Sequence, residues 1–295
     1  MGIDDDDSAH GGPSPSAERD DRPFAPREQE EIESKTPISP PAVFEVIRRA
    51  GNREMSRPPS ALIASGLVAG VALGFSLLGE ALLRAHLPEA DWRPLVENFG
   101  YTVGFVIVIK GQMQLFTENT ITAVMPVLEA KSRRALRGLL KLWLLVLGAN
   151  LVGAVAFGTA LWASRHIEPE VYRAALDIAD HAVGFGPWET LLRGVGAGWL
   201  IAALVWIMST TDRSHLALIV LITYLIALAG FTHIVAGTVE ASVVVLAGQM
   251  PLLDAATSSV LPTLAGNILG GTVLFTLLTW AQIRVEFDRD HRQGR

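Results

Sequence analysis

His233 is the side chain in this sequence best suited to chemistry. It closes the tetrapeptide GFTH, after Phe231 and Thr232, inside an apolar run at 219–246 that is long enough to cross a bilayer. Ionisable groups within such runs are costly, and they mark pathways for ions or protons. An imidazole resists its charge in a dry surrounding and regains it when an anion comes near, so it can take or yield a proton as a guest passes. Lys110, Glu118 and Glu240 are the other charges in or near interrupted apolar runs. Glu240 stands seven residues beyond His233 on the same helical face, where it can pair with the imidazole or line an outer vestibule. Lys110 is expected to snorkel or to pair with a carboxylate rather than touch a substrate.

These residues need elements to position them, and those elements are membrane spans. Half of the 295 residues are hydrophobic, and the charge is segregated. Residues 1–60 are acidic and proline-rich, whereas residues from about 61 fall into long apolar runs. Six segments, at 61–83, 99–128, 139–163, 188–210, 216–247 and 258–283, each meet the length that ~30 Å of hydrocarbon demands. Runs of this kind exclude an ordinary soluble domain. The absence of cysteine excludes disulfides and thiolate metal sites. Residues 1–40 are expected to be a disordered acidic tail. Residues 41–57 should form an amphipathic interfacial helix with Val43, Ile47 and Ala50 on one face and Arg48 and Arg49 turned toward lipid headgroups. The transport domain then covers 58–288, and 289–295 form a short C-terminal tail. Lys and Arg cluster before the first span, between spans two and three, at Arg213 and after span six, which places both termini in the cytoplasm.

An internal repeat relates the two halves. LGANLVGA at 147–154 matches LAGNILGG at 264–271, so that Asn150 answers Asn267. LFTEN at 115–119 answers GFTHI at 230–234, and GLVAG at 66–70 answers GVGAG at 194–198. Three spans per copy turn the second copy upside down, an arrangement that sets a site at the repeat interface. In this alignment Phe116–Thr117 lie over Phe231–Thr232 and Glu118 lies opposite His233. Glu118 either biases the imidazole toward its charged form or faces a solvated vestibule. Segments two and five carry polar interruptions, and a helix broken at mid-membrane survives only where protein or water surrounds the break. The half-helix N-termini would then aim partial positive charge at an anion.

Together these motifs resemble the formate/nitrite transporter family over about residues 43–285. LFT at 115–117 is similar to the family's loop in its broken second span. GFTHIVAG at 230–237 is similar to its GFEHSIAN signature, and LPTLAGNILGG at 261–271 to its IPVTLGNIIGG. The resemblance implies a homopentamer of aquaporin-like protomers, each with its own pore for small monovalent anions such as formate, nitrite or hydrosulfide. It makes His233 the central pore histidine and Thr117 its hydrogen-bond partner, with Leu115 and Phe116 in the loop beside it. Phe231, Thr232 and Asn267 lie within the matched motifs. Tyr101 and Ile226 would stand at hydrophobic constrictions, Ile226 in place of an aromatic. Departures are equally specific. The family's vestibule lysine falls at Ala182, its two asparagines at Gly198 and Gly237, and the acid before the histidine at Thr232. Met113 and Gln114 replace a small residue and an acid, and Glu118 is added. This describes a divergent branch with a thinned polar shell.

The sequence thus reads as an all-α polytopic membrane protein with six transmembrane helices in a 3+3 inverted repeat, helices two and five broken. The leading function is a channel or secondary transporter in the inner membrane for small anions, proton-linked through His233. The alternatives are a channel for neutral solutes or undissociated weak acids, and a scaffold or sensor that no longer transports. Its partners would be the anion or weak acid, protons and the bilayer. No metal-ligand cluster, nucleophile–base pair or phosphate loop suggests an enzyme or a cofactor, and no basic patch with aromatics suggests nucleic acid.

Overall fold

A computed structural model describes residues 38–210 and 214–292, together with residues 25, 27 and 28, and the side chains through residue 285. Most of the stretch 1–40 expected to be disordered, Arg213 and the last three residues of the C-terminal tail lie outside the described residues. The chain divides into two units, residues 1–37 and residues 38–295, and the second is described here.

Among the described residues, four helices are long and apolar enough to cross a membrane. They are α2 (Pro59–His86), α7 (Arg133–Ala163), α9 (Pro187–Met208) and α12 (Leu252–Val285). Proline at the first turn starts both α2 and α9, where its missing N–H costs no hydrogen bond. The segment at 99–128 divides into α4 (Thr102–Lys110), α5 (Phe116–Thr122) and α6 (Val124–Ala130), and α3 (Arg93–Glu97) precedes it. The segment at 216–247 divides into α10 (His215–Leu228) and α11 (Ile234–Leu246). At ~1.5 Å per residue, the nine residues of α4 reach only part of the way across a bilayer. Large apolar side chains cover the outer faces, among them Leu144 at 73% exposure and Val152 at 60%. A chain in water would not present such a surface.

Close packing of two helix pairs builds the frame. α2 packs along α7, and α9 along α12. Glycines make this approach possible. A Cβ added at Gly70 would run into the backbone carbonyl of Asn150, and one at Gly198 into that of Asn267. Small residues at such crossings let backbones touch where lipid supplies no hydrophobic drive. α12 carries two π-helical stretches, Ala255–Val260 and Leu269–Leu277.

Two elements differ from the sequence reading. α1 (Pro40–Ser56) is helical, but its apolar face does not meet lipid. Val43, Phe44 and Ile47 are buried against Ile121, Met125, Ala202, Val205 and Ile283. Arg48 is committed to Glu45 at 2.6 Å and Glu129 at 2.9 Å rather than to headgroups. Hydrogen bonds from Arg48 and then Arg49 hold the Glu45 carboxyl down at about 2. α8 (Pro169–Val183) has no counterpart in the expected elements. It is amphipathic, burying Val171, Ala174, Ala175, Ala179 and Val183 toward α2 and α11. Its polar face kept it out of a search for long apolar runs.

Replacement of Gly198 by leucine should force α9 away from α12 and cost ~1–3 kcal/mol of stability. Gly148→Leu is the control, because a Cβ there meets nothing within 4 Å. Thermal unfolding in detergent should show a lowered midpoint for the first variant and little change for the second.

Candidate functional site

The site begins with the backbone at the two breaks, where both chains make the same turn. After α4, Gly111, Gln112 and Met113 donate N–H groups back to Ile107, Ile109 and Val108. After α10, Ala229, Gly230 and Phe231 donate to Leu225, Ala227 and Ile226. Gln112 (φ 51°) and Gly230 (φ 62°) occupy the left-handed region at equivalent points. An extended residue then caps each second half-helix, Leu115 for α5 and His233 for α11.

Paired asparagines hold these turns. Asn150 Oδ1 accepts from Phe116 N at 2.9 Å, while its Nδ2 donates to Gly66 O at 2.8 Å and Gln114 O at 2.9 Å. Asn267 Oδ1 accepts from Ile234 N at 2.9 Å, while its Nδ2 donates to Gly194 O and Thr232 O, both at 2.9 Å. Each amide thereby satisfies one N–H and one carbonyl that the break leaves without a helical partner, and anchors them to a carbonyl of a neighbouring intact helix. Both asparagines are fully buried. Asn267 is therefore a positioning residue and does not contact a guest. Arg193 adds a second support, donating to Ala229 O and Gly230 O at the end of α10 while its guanidinium lies over the Phe185 ring.

These bonds set the register of the two breaks. Phe116 corresponds to Ile234, a separation of 118, and Leu115 to His233. Aligning Phe-Thr on Phe-Thr slips this by three residues. Glu118 consequently does not stand opposite His233.

His233 is 1% exposed and sits at the start of α11. Its Nε2 lies 2.8 Å from Thr117 Oγ1 on α5, which joins the two broken helices through side chains. Its Nδ1 accepts a long hydrogen bond from Ala236 N at 3.5 Å. Those partners assign the proton to Nε2 and the neutral tautomer to the ring, with Nε2–H donating to the threonine oxygen. The edge of the imidazole meets Phe105, ring centres 4.9 Å apart, and Phe105 in turn contacts Tyr101.

Two cavities approach this centre. One, of about 270 Å³, is lined by His233, Thr232, Phe231, Tyr101, Glu80, Glu240 and Ala182 among others. The other, of about 630 Å³, is lined by Leu115, Gln114, Glu118, Asn119, Glu54, Arg53 and Arg57 among others. Arg57 precedes the start of α2 and Glu80 stands near its far end, so the cavities open at opposite ends of a 28-residue helix. Leu115 lines one cavity and His233 the other, and Thr117, two residues after Leu115, bonds His233.

The remaining expected residues separate into those at the cavities and those elsewhere. Tyr101 lines the His233 cavity, and Ile226 is fully buried and lines neither. Phe116 turns its ring onto Trp143, centres 5.5 Å apart, so its backbone N–H serves the site and its side chain does not. Lys110 is exposed at the end of α4 and borders neither cavity. Glu118 lines the second cavity, on the side of Glu54 and Arg57, with its Oε1 buried and without a hydrogen-bond partner. It does not bond His233, whose partners are Thr117 and Ala236. Sequence reasoning passes over Glu80, Glu97 and Arg193. Glu80 carries the same signal as His233, an ionisable group within the apolar run 61–83. Its place one turn from the end of that run hid it.

Asn267→Asp keeps the acceptor for Ile234 N–H but strips both donors, leaving the Thr232 carbonyl at the break without its partner at roughly 1–3 kcal/mol. Chemical denaturation of the purified protein should show that loss. Asn150→Asp should match it, because the two latches are equivalent.

With the geometry established, the comparisons are direct. Residues 41–281 match the model of the formate/nitrite transporter family. The inner membrane protein YfdC of Escherichia coli (strain K12) is 39% identical over 255 residues, which is 85% of this chain and 81% of YfdC. Among solved structures, an FNT family ion channel superposes with a TM-score of 0.65 over 86% of this chain and 99% of its own, at 18% identity. A pentameric formate channel with formate bound gives 0.62 over 80% of this chain and 98% of its own, again at 18% identity. The all-helical architecture, with its apolar exterior, is that of these channels. Its family match and its fold agree: the chain belongs to the formate/nitrite transporter family.

Proposed function

We propose that this protein is a channel or secondary transporter for small monovalent anions of the formate, nitrite, hydrosulfide or short monocarboxylate type, proton-linked through His233. Family membership sets it among transporters and channels rather than enzymes. One observation carries the finer reading. The His233–Thr117 hydrogen bond bridges two half-helices, with His233 lining one cavity and Leu115 and Glu118, which flank Thr117 in sequence, lining the other. A bare anion is costly in a constricted apolar passage. A buried imidazole that can receive a proton and pass it on lowers that cost by letting the guest cross as its neutral acid. The likeness to a pentameric formate channel supports a homopentamer with one pore per protomer. The YfdC relative supports the inner membrane, and the Lys and Arg distribution supports cytoplasmic termini.

A second reading has its own support. Ala182 lines the cavity at the position where the family resemblance calls for lysine, and Glu80 and Glu240 line the same cavity. A wall of that kind favours undissociated acids or other neutral solutes over free anions.

Reconstitution into proteoliposomes tests both readings. Uptake of formate, nitrite, acetate, lactate and hydrosulfide is measured at two pH values, and osmotic shrinkage compares charged with neutral solutes. His233→Asn should lower uptake steeply and flatten its dependence on external pH. Wild-type-like uptake that ignores pH in this variant overturns the proton-linked reading. Thr117→Val removes one buried hydrogen bond, about 1 kcal/mol, and should slow uptake roughly fivefold.

A further inference from the structure

The cavity above His233 carries more negative charge than its cations can balance. Glu80 on α2 and Glu240 on α11 both line it, within electrostatic reach of each other. Glu80 is only 5% exposed. Neither carboxyl makes a hydrogen bond or an ion pair with any described residue. The other charged or titratable groups facing this space are Arg84 on α2, Glu97 on α3, Tyr101, His181 on α8, and His233. Arg84 is committed elsewhere, gripping both oxygens of Glu97 at 2.7 and 3.0 Å, and Arg93 adds a third contact to Glu97 at 3.5 Å. Asp177 on α8 also acts on Arg84. Arg84 acts on Glu80 through space, but its hydrogen bonds go to Glu97, and no cation among the described residues pairs directly with Glu80 or Glu240.

Two ionised carboxylates in one enclosed space lose hydration and repel each other. A single proton shared between them removes most of that cost. We propose that Glu80 and Glu240 form a proton-holding carboxyl pair at the mouth of the pore, which hands its proton to an incoming weak-acid anion. In that step the glutamic acid O–H bond breaks and an O–H bond forms on the anion. The guest leaves as the neutral acid and the pair is left ionised until cavity water returns a proton. The handover rests on the small-anion reading above, whereas the proton-holding pair does not. It explains how a pore mouth with Ala182 in place of a lysine still serves anions. The wall turns the free anion away and admits it once protonated.

Infrared difference spectroscopy of the reconstituted full chain, titrated with pH, reads the pair without reference to transport. The expected result is a protonated-carboxyl band that titrates, with its midpoint moved to more acid pH in Glu80→Gln and likewise in Glu240→Gln. A purely structural role for either residue would not move the other's titration. Absence of such a band, or a band indifferent to both substitutions, overturns the pair. A band displaced by sodium or ammonium at constant pH also overturns it, in favour of a cation site. In a parallel flux assay the double variant should take up formate roughly tenfold more slowly at neutral pH. It should recover in acid, where the medium supplies undissociated acid. Full formate uptake by the double variant at neutral pH overturns the handover. A normal titration with no flux of any weak acid in the wild type overturns the handover together with the transport reading and leaves the pair standing.

Discussion

A helix cut in the middle of a bilayer exposes N–H and C=O groups to a medium that cannot hydrogen-bond them, and everything at this site depends on how that is met. Asn150 and Asn267 meet it. Each inserts one amide between a neighbouring helix and a turn, accepting from the first N–H of the new half-helix and donating to two carbonyls. An asparagine is well shaped for this, since its short amide carries an acceptor and two donors side by side. The latch holds only if the helices lie close. Gly70 and Gly198 permit that approach by leaving room for the asparagine carbonyls. Glycine at 198, where the family pattern suggests an asparagine, is thus explained by packing: a side chain there has no space.

Because the two latches repeat at one register, they set Leu115 and His233 at equivalent points, each extended and each capping a half-helix. One copy thereby presents an isobutyl group and the other an imidazole. The protein is symmetric in backbone and asymmetric in chemistry at its centre. Thr117 closes the gap between them, and its hydrogen bond holds the imidazole with Phe105 against the ring.

Charge is distributed with equal economy. Arg84 and Glu97 satisfy each other, as do Arg57 and Glu54 at the opposite end. Glu54 also accepts a hydrogen bond from Gln114, which ties α1 to the loop of the first break. Three carboxyls without hydrogen-bond partners, Glu80, Glu118 and Glu240, line one cavity or the other. Those cavities supply the water that a buried carboxyl otherwise lacks. Ala182 lines the same cavity as Glu80, Glu97 and Glu240, so the charged groups on that wall are mostly acidic.

The sequence by itself determined the membrane class, the long apolar segments with their two interruptions, and the choice of His233 as the group to follow. Each follows from local facts: the length of an apolar run, the cost of an ionisable group within it, and the recurrence of Asn in matched motifs. Thr117 as the partner of His233 was legible only through the family resemblance, because no local rule joins residues so far apart. Tertiary structure alone decided the register of the breaks, because hydrogen bonds to Asn150 and Asn267 count backbone positions, whereas motif matching counts side chains and was drawn to Phe-Thr. It sent Glu118 to the second cavity and Phe116 onto Trp143, and it turned the apolar face of α1 onto protein. It also brought Glu80 and Glu240, from helices far apart in the chain, to the lining of one cavity. Such outcomes depend on which helices lie side by side, and no property of a single helix encodes that.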